Sequence, residues 1–291
     1  MNYRLVMLSA LFALSTGAVS WAQEGRAQRP GVCGPTNLGE ATSEISFKNT
    51  IGSDFSPSFT VEGDSLTPLV NIRCINEDSI ARLNLNVGVT AAVGDDLGGG
   101  TILLEWSNRR LRSGVPFDEQ LVHELVAAGG LTSGTNFQDV GLLVEAGYRP
   151  VYLGLDWLKL GEQLKRVSWA EVGAFVQAGY TTPFQASEID PMQEGEEAGT
   201  SSGALFRLKV GGKGDVRLSI PSLANLRVHF LPEGWAWYDI LNNQLYGQIE
   251  GTLRLETGTD VYYDIISIKH GASPTEYTPG TQFSTGLTIR F

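Results

Sequence analysis

The last ten residues of the chain, Gln282-Phe283-Ser284-Thr285-Gly286-Leu287-Thr288-Ile289-Arg290-Phe291, leave few folds open. Successive side chains of an extended strand point to opposite faces. Phe283, Thr285, Leu287, Ile289 and Phe291 therefore share one face, and Ser284, Gly286, Thr288 and Arg290 share the other. The first face suits hydrocarbon and the second suits water, and the chain stops on an aromatic ring. A sheet built of such strands separates an apolar phase from an aqueous one. The same alternation would also serve an ordinary amphipathic strand of a secreted β-sandwich.

Ser284, Gly286, Ile289 and Phe291 place a polar residue, then Gly two positions on, then apolar residues three and five beyond that Gly. This end resembles the closing-strand signal of bacterial outer-membrane β-barrels. The resemblance implies that the strand is read by the barrel-assembly machinery, that it pairs with the first strand, and that the protein sits among outer-membrane lipid and lipopolysaccharide. It covers the final strand alone and implies an architecture, not an activity.

The other end is consistent with that address. Met1 to Arg4 is a short basic start, Leu5 to Leu14 is almost wholly apolar, and Ser20-Trp21-Ala22 offers small residues for a cut after Ala22, so residues 1–22 read as a signal peptide. The apolar run is too short to span lipid as a helix, and no later run approaches the roughly 20 apolar residues required. If the chain spans a membrane, it does so as a barrel. Removing residues 1–22 takes away Arg4 and no acid from a chain of formal net charge −11. That balance argues against a nucleic-acid partner, because phosphate contacts need Lys and Arg in excess. Glycine at 35 of 291 positions suits the turns and crowded inner faces of a single barrel over 43–291. Cys33 and Cys74 are the two cysteines, and in an exported chain they read as a disulfide. Two Cys and three scattered His offer no metal site, and no cofactor is expected.

In chain order, residues 23–42 are polar, rich in Gly and Pro and without period, a periplasmic leader or a segment that enters the lumen. Three weak strands follow at 43–50, 55–62 and 66–75, separated by Gly/Asp/Ser turns, with Pro57 and Pro68 lowering their quality. Strand 80–93 alternates Leu83, Leu85, Val87 and Val89 with Arg82, Asn84, Asn86 and Gly88, a polar set that a water-filled lumen accepts at no desolvation cost. Ile102, Leu104 and Trp106 face outward again. The turn around Asp95 and Asp96 lacks the spacing of a calcium loop. Val140 to Tyr148 recurs as Val172 to Tyr180, 32 residues on, which fits one hairpin with both copies pointing the same way. Tyr148 and Tyr180 would then sit at one interface, with Val151, Leu153, Leu155 and Trp157 on a returning strand. Residues 185–203 carry Glu188, Asp190, Glu194, Glu196 and Glu197 with little to bury and read as the longest external loop. A turn is expected at Gly211 to Asp215, which lacks phosphate-loop spacing. Trp235, Trp237 and Tyr238 form an interface belt or loop core, and strands 245–256, 261–270 and 283–291 close an all-β, antiparallel transmembrane barrel of about 12–14 strands. One conflict stands: this count puts Cys74 at the outer end of its strand, whereas Cys33 begins in the periplasm.

Three chemistries are open. His123-Glu124 opens like a zinc-protease motif, but Ala127 stands where the second His belongs. His270, Ser273 and Glu276 at the tip of the last hairpin resemble the His and Ser pair of outer-membrane lipid A deacylases, which would imply a lipid hydrolase. Here the two lie three positions apart, on opposite faces of a strand. Strand parity gives the third reading: Arg82, Arg149, Arg207, Lys209, Arg217, Arg227, Arg254 and Arg290 turn inward beside Glu105, Glu145, Asp156, Glu171 and Glu250. A lumen with excess arginine favours anions, so the leading expectation is a passive, porin-like channel for small anionic solutes. A closed structural or surface-interaction barrel, its inner charges paired across the lumen, is the alternative.

Overall fold

The structure, a computed structural model, describes residues 33–35, 41–51, 57–74, 79–93, 99–110, 121–133, 139–155, 164–183, 203–218, 227–257, 260–272, 274 and 280–291. The strands are β1 (Cys33–Pro35), β2 (Thr42–Ile51), β3 (Pro57–Cys74), β4 (Ser79–Val93), β5 (Gly99–Arg110), β6 (Leu121–Ser133) and β7 (Asp139–Tyr148). They continue with β8 (Val151–Leu155), β9 (Leu164–Pro183), β10 (Gly203–Leu218), β11 (Arg227–Asp239), β12 (Gln244–Glu256), β13 (Val261–Ala272) and β14 (Gly280–Arg290). Each pairs antiparallel with its neighbour, and β14 returns to β2 in register from Phe283 opposite Ile51 to Arg290 opposite Glu44. The sheet is therefore a closed barrel. β7 and β8 are two halves of one wall strand, since both lie between β6 and β9, so the wall has twelve strands.

The side chains sort as the pleat requires. Leu104, Leu125, Leu131, Leu142, Val144, Val172, Val210, Leu245, Ile249 and Phe283 are exposed on the outer rows, while Glu124, Asp239, Ser107 and Thr288 are buried on the inner ones. Large apolar side chains outside and polar ones inside reverse the order of a water-soluble protein, and suit a wall whose solvent is lipid.

Several sequence expectations change. Residues 55–62 and 66–75 are one strand: Gly63-Asp64-Ser65 runs straight through β3, opposite Ile45, Glu44 and Ser43 on β2 and Val89, Gly88 and Val87 on β4. Gly211 to Asp215 likewise lies inside β10, with Gly211 opposite Trp235. In a barrel a Gly/Asp run need not be a turn, because its polar side chains can face the polar inner rows. The chain does not turn back at Arg149-Pro150 either. Pro150 lacks an N–H and interrupts the ladder, yet Arg149 N donates to Glu124 O at 2.8 Å and Val172 N donates to Pro150 O at 3.1 Å, so β8 carries on along β7. The two copies of the repeated segment are adjacent and antiparallel: Tyr148 stands opposite Ala174, midway along β9, and Tyr180 opposite Leu142 near the far rim, so the tyrosines do not share an interface.

Fusing the early strands also removes the cysteine conflict. β3 now ends at the same rim as Phe291, where β1 pairs with it in the register Cys33 opposite Cys74, and a disulfide joins the two. The leader has no need to cross the lumen to reach Cys74. Residues 1–32, 36–40, 94–98, 156–163, 184–202 and 275–279 lie outside the described residues, and with them the signal peptide, most of the leader, the Asp95-Asp96 turn, Asp156, most of the acidic 185–203 segment and Glu276. Ser273 does too. β9 and β10 meet that acidic segment at the rim opposite Phe291.

Candidate functional site: the charged inner face

The inner rows of β4, β5 and β6 and the junction of β7 with β8 form a connected set. Glu124 on β6 takes Arg109 Nε of β5 at 2.7 Å on one carboxylate oxygen and Arg149 Nε at 2.9 Å on the other. Arg149 Nη2 reaches on to Glu105 Oε1 at 3.1 Å, and Asn86 Nδ2 donates to Glu105 Oε2 at 3.4 Å. Arg149 holds this central place because the register of β6 with β7 and β8 sets it opposite Glu124, where its backbone N–H donates to Glu124 O and its guanidinium meets the Glu124 carboxylate. Glu124 has no exposed side-chain surface, with Val122 and Val126 buried on either side of it in the same row.

The second set runs across β7, β9, β10 and β11. Gln177 Nε2 donates to Glu145 Oε2 at 2.6 Å, and Lys209 Nζ lies 3.5 Å from the same oxygen. Lys213 lies 3.7 Å from Glu171. Arg207 Nε donates to Asp239 at 3.1 Å, and Asp239 also accepts from the backbone N–H groups of Leu241 and Asn242 at the β11–β12 turn. Further round, His229 Nδ1 meets Asp215 at 2.8 Å, while Glu256 faces both His229 and Arg227 at 3.3 Å. Arg254 forks onto Asp264 at 2.6 and 3.1 Å, and Glu250 accepts from Ser267 at 2.7 Å. At the β14–β2–β3 seam, Arg290 pairs with Glu44 and Lys48 with Glu62 at 2.7 Å.

The basic residues named from sequence do not stand as a like-charged cluster. Arg207, Lys209, Arg227, Arg254 and Arg290 each face a carboxylate, an arrangement that removes the repulsion like charges on neighbouring strands would feel. Arg217 lies opposite His229, is exposed, and has no ion pair among the described residues. Arg82 stands opposite Ser107, with its Nε buried and without a hydrogen-bond partner among the described residues.

Sequence reasoning missed most of the acidic half. Glu124 belongs to a failed zinc motif in the sequence, and its parity with Val122, Val126 and Ala128 is the signal that places it on the inner row. Lys48, Glu62, Arg109, Asp215, Asp239, Glu256 and Asp264 carry the same signal once the strand limits are right. Trp235 and Trp237 are not an interface belt. They lie on the inner rows opposite Gly211 and Lys209, while Tyr238 faces outward. His123 and Tyr148 stack and hydrogen-bond to each other on the outer face. His270 Nδ1 is 2.9 Å from Thr281 Oγ1. Among the described residues no three His, Cys, Asp or Glu side chains come together as a metal site.

A closed antiparallel wall with an apolar outside and a polar inside defines a transmembrane β-barrel of the outer-membrane type. No protein-family model matches the chain. No curated protein matches it either. It is similar to the solved β domain of the Bordetella autotransporter BrkA, at 9% identity and TM-score 0.40 over 86% of this chain and 98% of that one. It is similar to the KdgM porin in complex with disordered oligogalacturonate, at 8% and 0.38 over 86% and 99%. The translocator domain of the autotransporter NalP from Neisseria meningitidis aligns at 12% and 0.37 over 99% and 96%.

Proposed function

We propose that the chain is a passive, water-filled channel of an outer membrane for small polar solutes, anions among them. One observation carries the reading. Inner-row charges in the middle of a closed wall keep accessible surface: 18% for the Arg149 side chain, 16% for Glu105, 21% for Lys209 and 16% for Glu145. With the outer rows given to hydrocarbon, that surface belongs to an aqueous interior, which charged side chains require in order to stay ionised at low cost. Pairing makes the field inside weaker than unpaired arginines would make it, so the channel prefers anions modestly, through cations such as Arg217 that no described acid balances.

Single-channel recording in planar bilayers under a salt gradient tests this. The expected result is a steady conductance whose reversal potential leans to anions and moves towards cations in Arg217→Glu, with heat-modifiable migration unchanged. Arg217 is chosen because its side chain is exposed and bears no described strut. Arg207 is unsuitable, since its loss would remove the one ion pair described for the buried Asp239. A folded barrel that carries no current in either form would overturn the channel and leave the closed, surface-interacting barrel in its place. That second reading has its own support in Val122, Val126 and Phe175, which are buried on the inner rows and fill space on one side.

A further inference from the structure

Lys209 is held by one long ion pair and by two aromatic rings. Its 3.5 Å contact to Glu145 Oε2 is long, and that oxygen already accepts the 2.6 Å hydrogen bond from Gln177. Glu145 therefore keeps its hydrogen bond from Gln177 if Lys209 leaves. The ammonium instead stands over two aromatic rings, 4.6 Å from the centroid of Trp235 and 5.1 Å from that of Phe175. The rings are themselves 6.2 Å apart, tilted by 53°. Glycines keep both against the wall: a Cβ on Gly211 would come within 2.7 Å of Trp235 Cε3, and one on Gly173 within 2.3 Å of the Phe175 ring. The indole N–H donates to Glu233 at 2.8 Å, which fixes the plane of Trp235. Phe175 is buried, whereas Trp235 keeps part of its surface free.

We propose that Lys209 and the face of Trp235 form a binding station for a carboxylate carried on a ring, either an aromatic acid or a uronic sugar. The proposal rests on the channel reading for access from the aqueous interior. The two halves act by exchange. A solute carboxylate draws the ammonium off the rings, since a charge-assisted hydrogen bond to an anion outweighs a cation–π contact. The ring of the solute then takes the face of Trp235 that the ammonium has left, stacking as apolar ring faces do on aromatics. Glu145 and Glu233 repel a bare anion, so a carboxylate without a ring gains little, and a ring without a carboxylate leaves Lys209 in its way.

The test uses the folded full chain in detergent micelles and saturation-transfer NMR, with empty micelles as the blank. The ligands are glucuronate and benzoate, with glucose and acetate as the half-ligands. Glucuronate, benzoate or both should bind, which of them does so naming the source of the carboxylate, and both half-ligands should bind at least about tenfold more weakly. Lys209→Gln and Trp235→Leu should each weaken the ring carboxylate about tenfold. If Trp235→Leu does not fold, Lys209→Gln carries the measurement alone, because its partner Glu145 keeps Gln177. Acetate binding as tightly as glucuronate and benzoate, affinities unchanged in Lys209→Gln, or no binding of either ring acid to the wild type would each overturn the station. Intact binding by a barrel that passes no current overturns the channel and leaves the station standing.

Discussion

Glu124 on β6 and Glu44 on β2 both hold arginines across neighbouring strands of one inner face, in opposite surroundings. Glu124 has 0% exposed side chain and grips two guanidiniums. Glu44 keeps 31% of its side-chain surface and its partner Arg290 keeps 42%. The first pair sits in a packed wall, with Val122, Val126 and Phe175 buried nearby. The second sits at the seam of β14 and β2, joined by the ladder of those strands and a hydroxyl contact of 2.8 Å between Ser46 and the buried Thr288. Identical chemistry is a strut where the carboxylate is buried and close to neutral where both partners are exposed.

The contrast can be broken most sharply at Glu124. Glu124→Ala leaves Arg109 and Arg149 facing each other without an acid between them and should cost about 3–5 kcal/mol, measured by urea unfolding of the barrel in lipid vesicles. A loss under about 1 kcal/mol would mean that water reaches this wall as freely as the seam. The next effect is steric. A Cβ on Gly130 would lie 1.9 Å from Ile102 O, a backbone atom that cannot yield alone, so Gly130→Ala should cost about 1–3 kcal/mol by forcing β5 and β6 apart. At the seam, Lys48→Met paired with Glu62→Gln should change stability by less than about 1 kcal/mol, and the same unfolding curves would show it. The smallest effect belongs to Gly63, beside which a Cβ would meet nothing within 4 Å: Gly63→Ala should be neutral or slightly stabilising, in contrast to the same change at Gly130.

The alternation of single strands could be read from the chain because lipid outside and water inside impose a period of two on β4, β10 and β12 alike. Where reading failed, it failed on glycine, aspartate and proline. Gly63-Asp64-Ser65 and Gly211 to Asp215 have the composition of turns, and in a globular sheet they would be turns. Inside a barrel they remain strand, because Asp64 faces the interior and Gly211 makes room for the Trp235 ring. Pro150 removes one ladder bond without reversing the chain, a distinction that residue preference cannot draw. The ion pairs needed the register between strands as well as parity within them. Glu124 meets Arg149 only because β7 folds back on β6 with Tyr148 opposite Leu125, a fact about pairing rather than pattern.

The disulfide at the rim also sets an order in time. Cys33 and Cys74 are 41 residues apart, whereas Arg290 and Glu44 at the seam are 246 apart. On chain entropy alone the longer closure costs roughly 1.6 kcal/mol more, and it must wait for every strand between them. Thiol trapping during assembly should therefore find Cys33 and Cys74 joined before the heat-modifiable barrel appears. The reverse order would mean that the ring closes first and fixes the leader afterwards. In the expected order β1 is already fastened beside β3 when β14 arrives, so the rim where the last strand must find β2 is built before its partner.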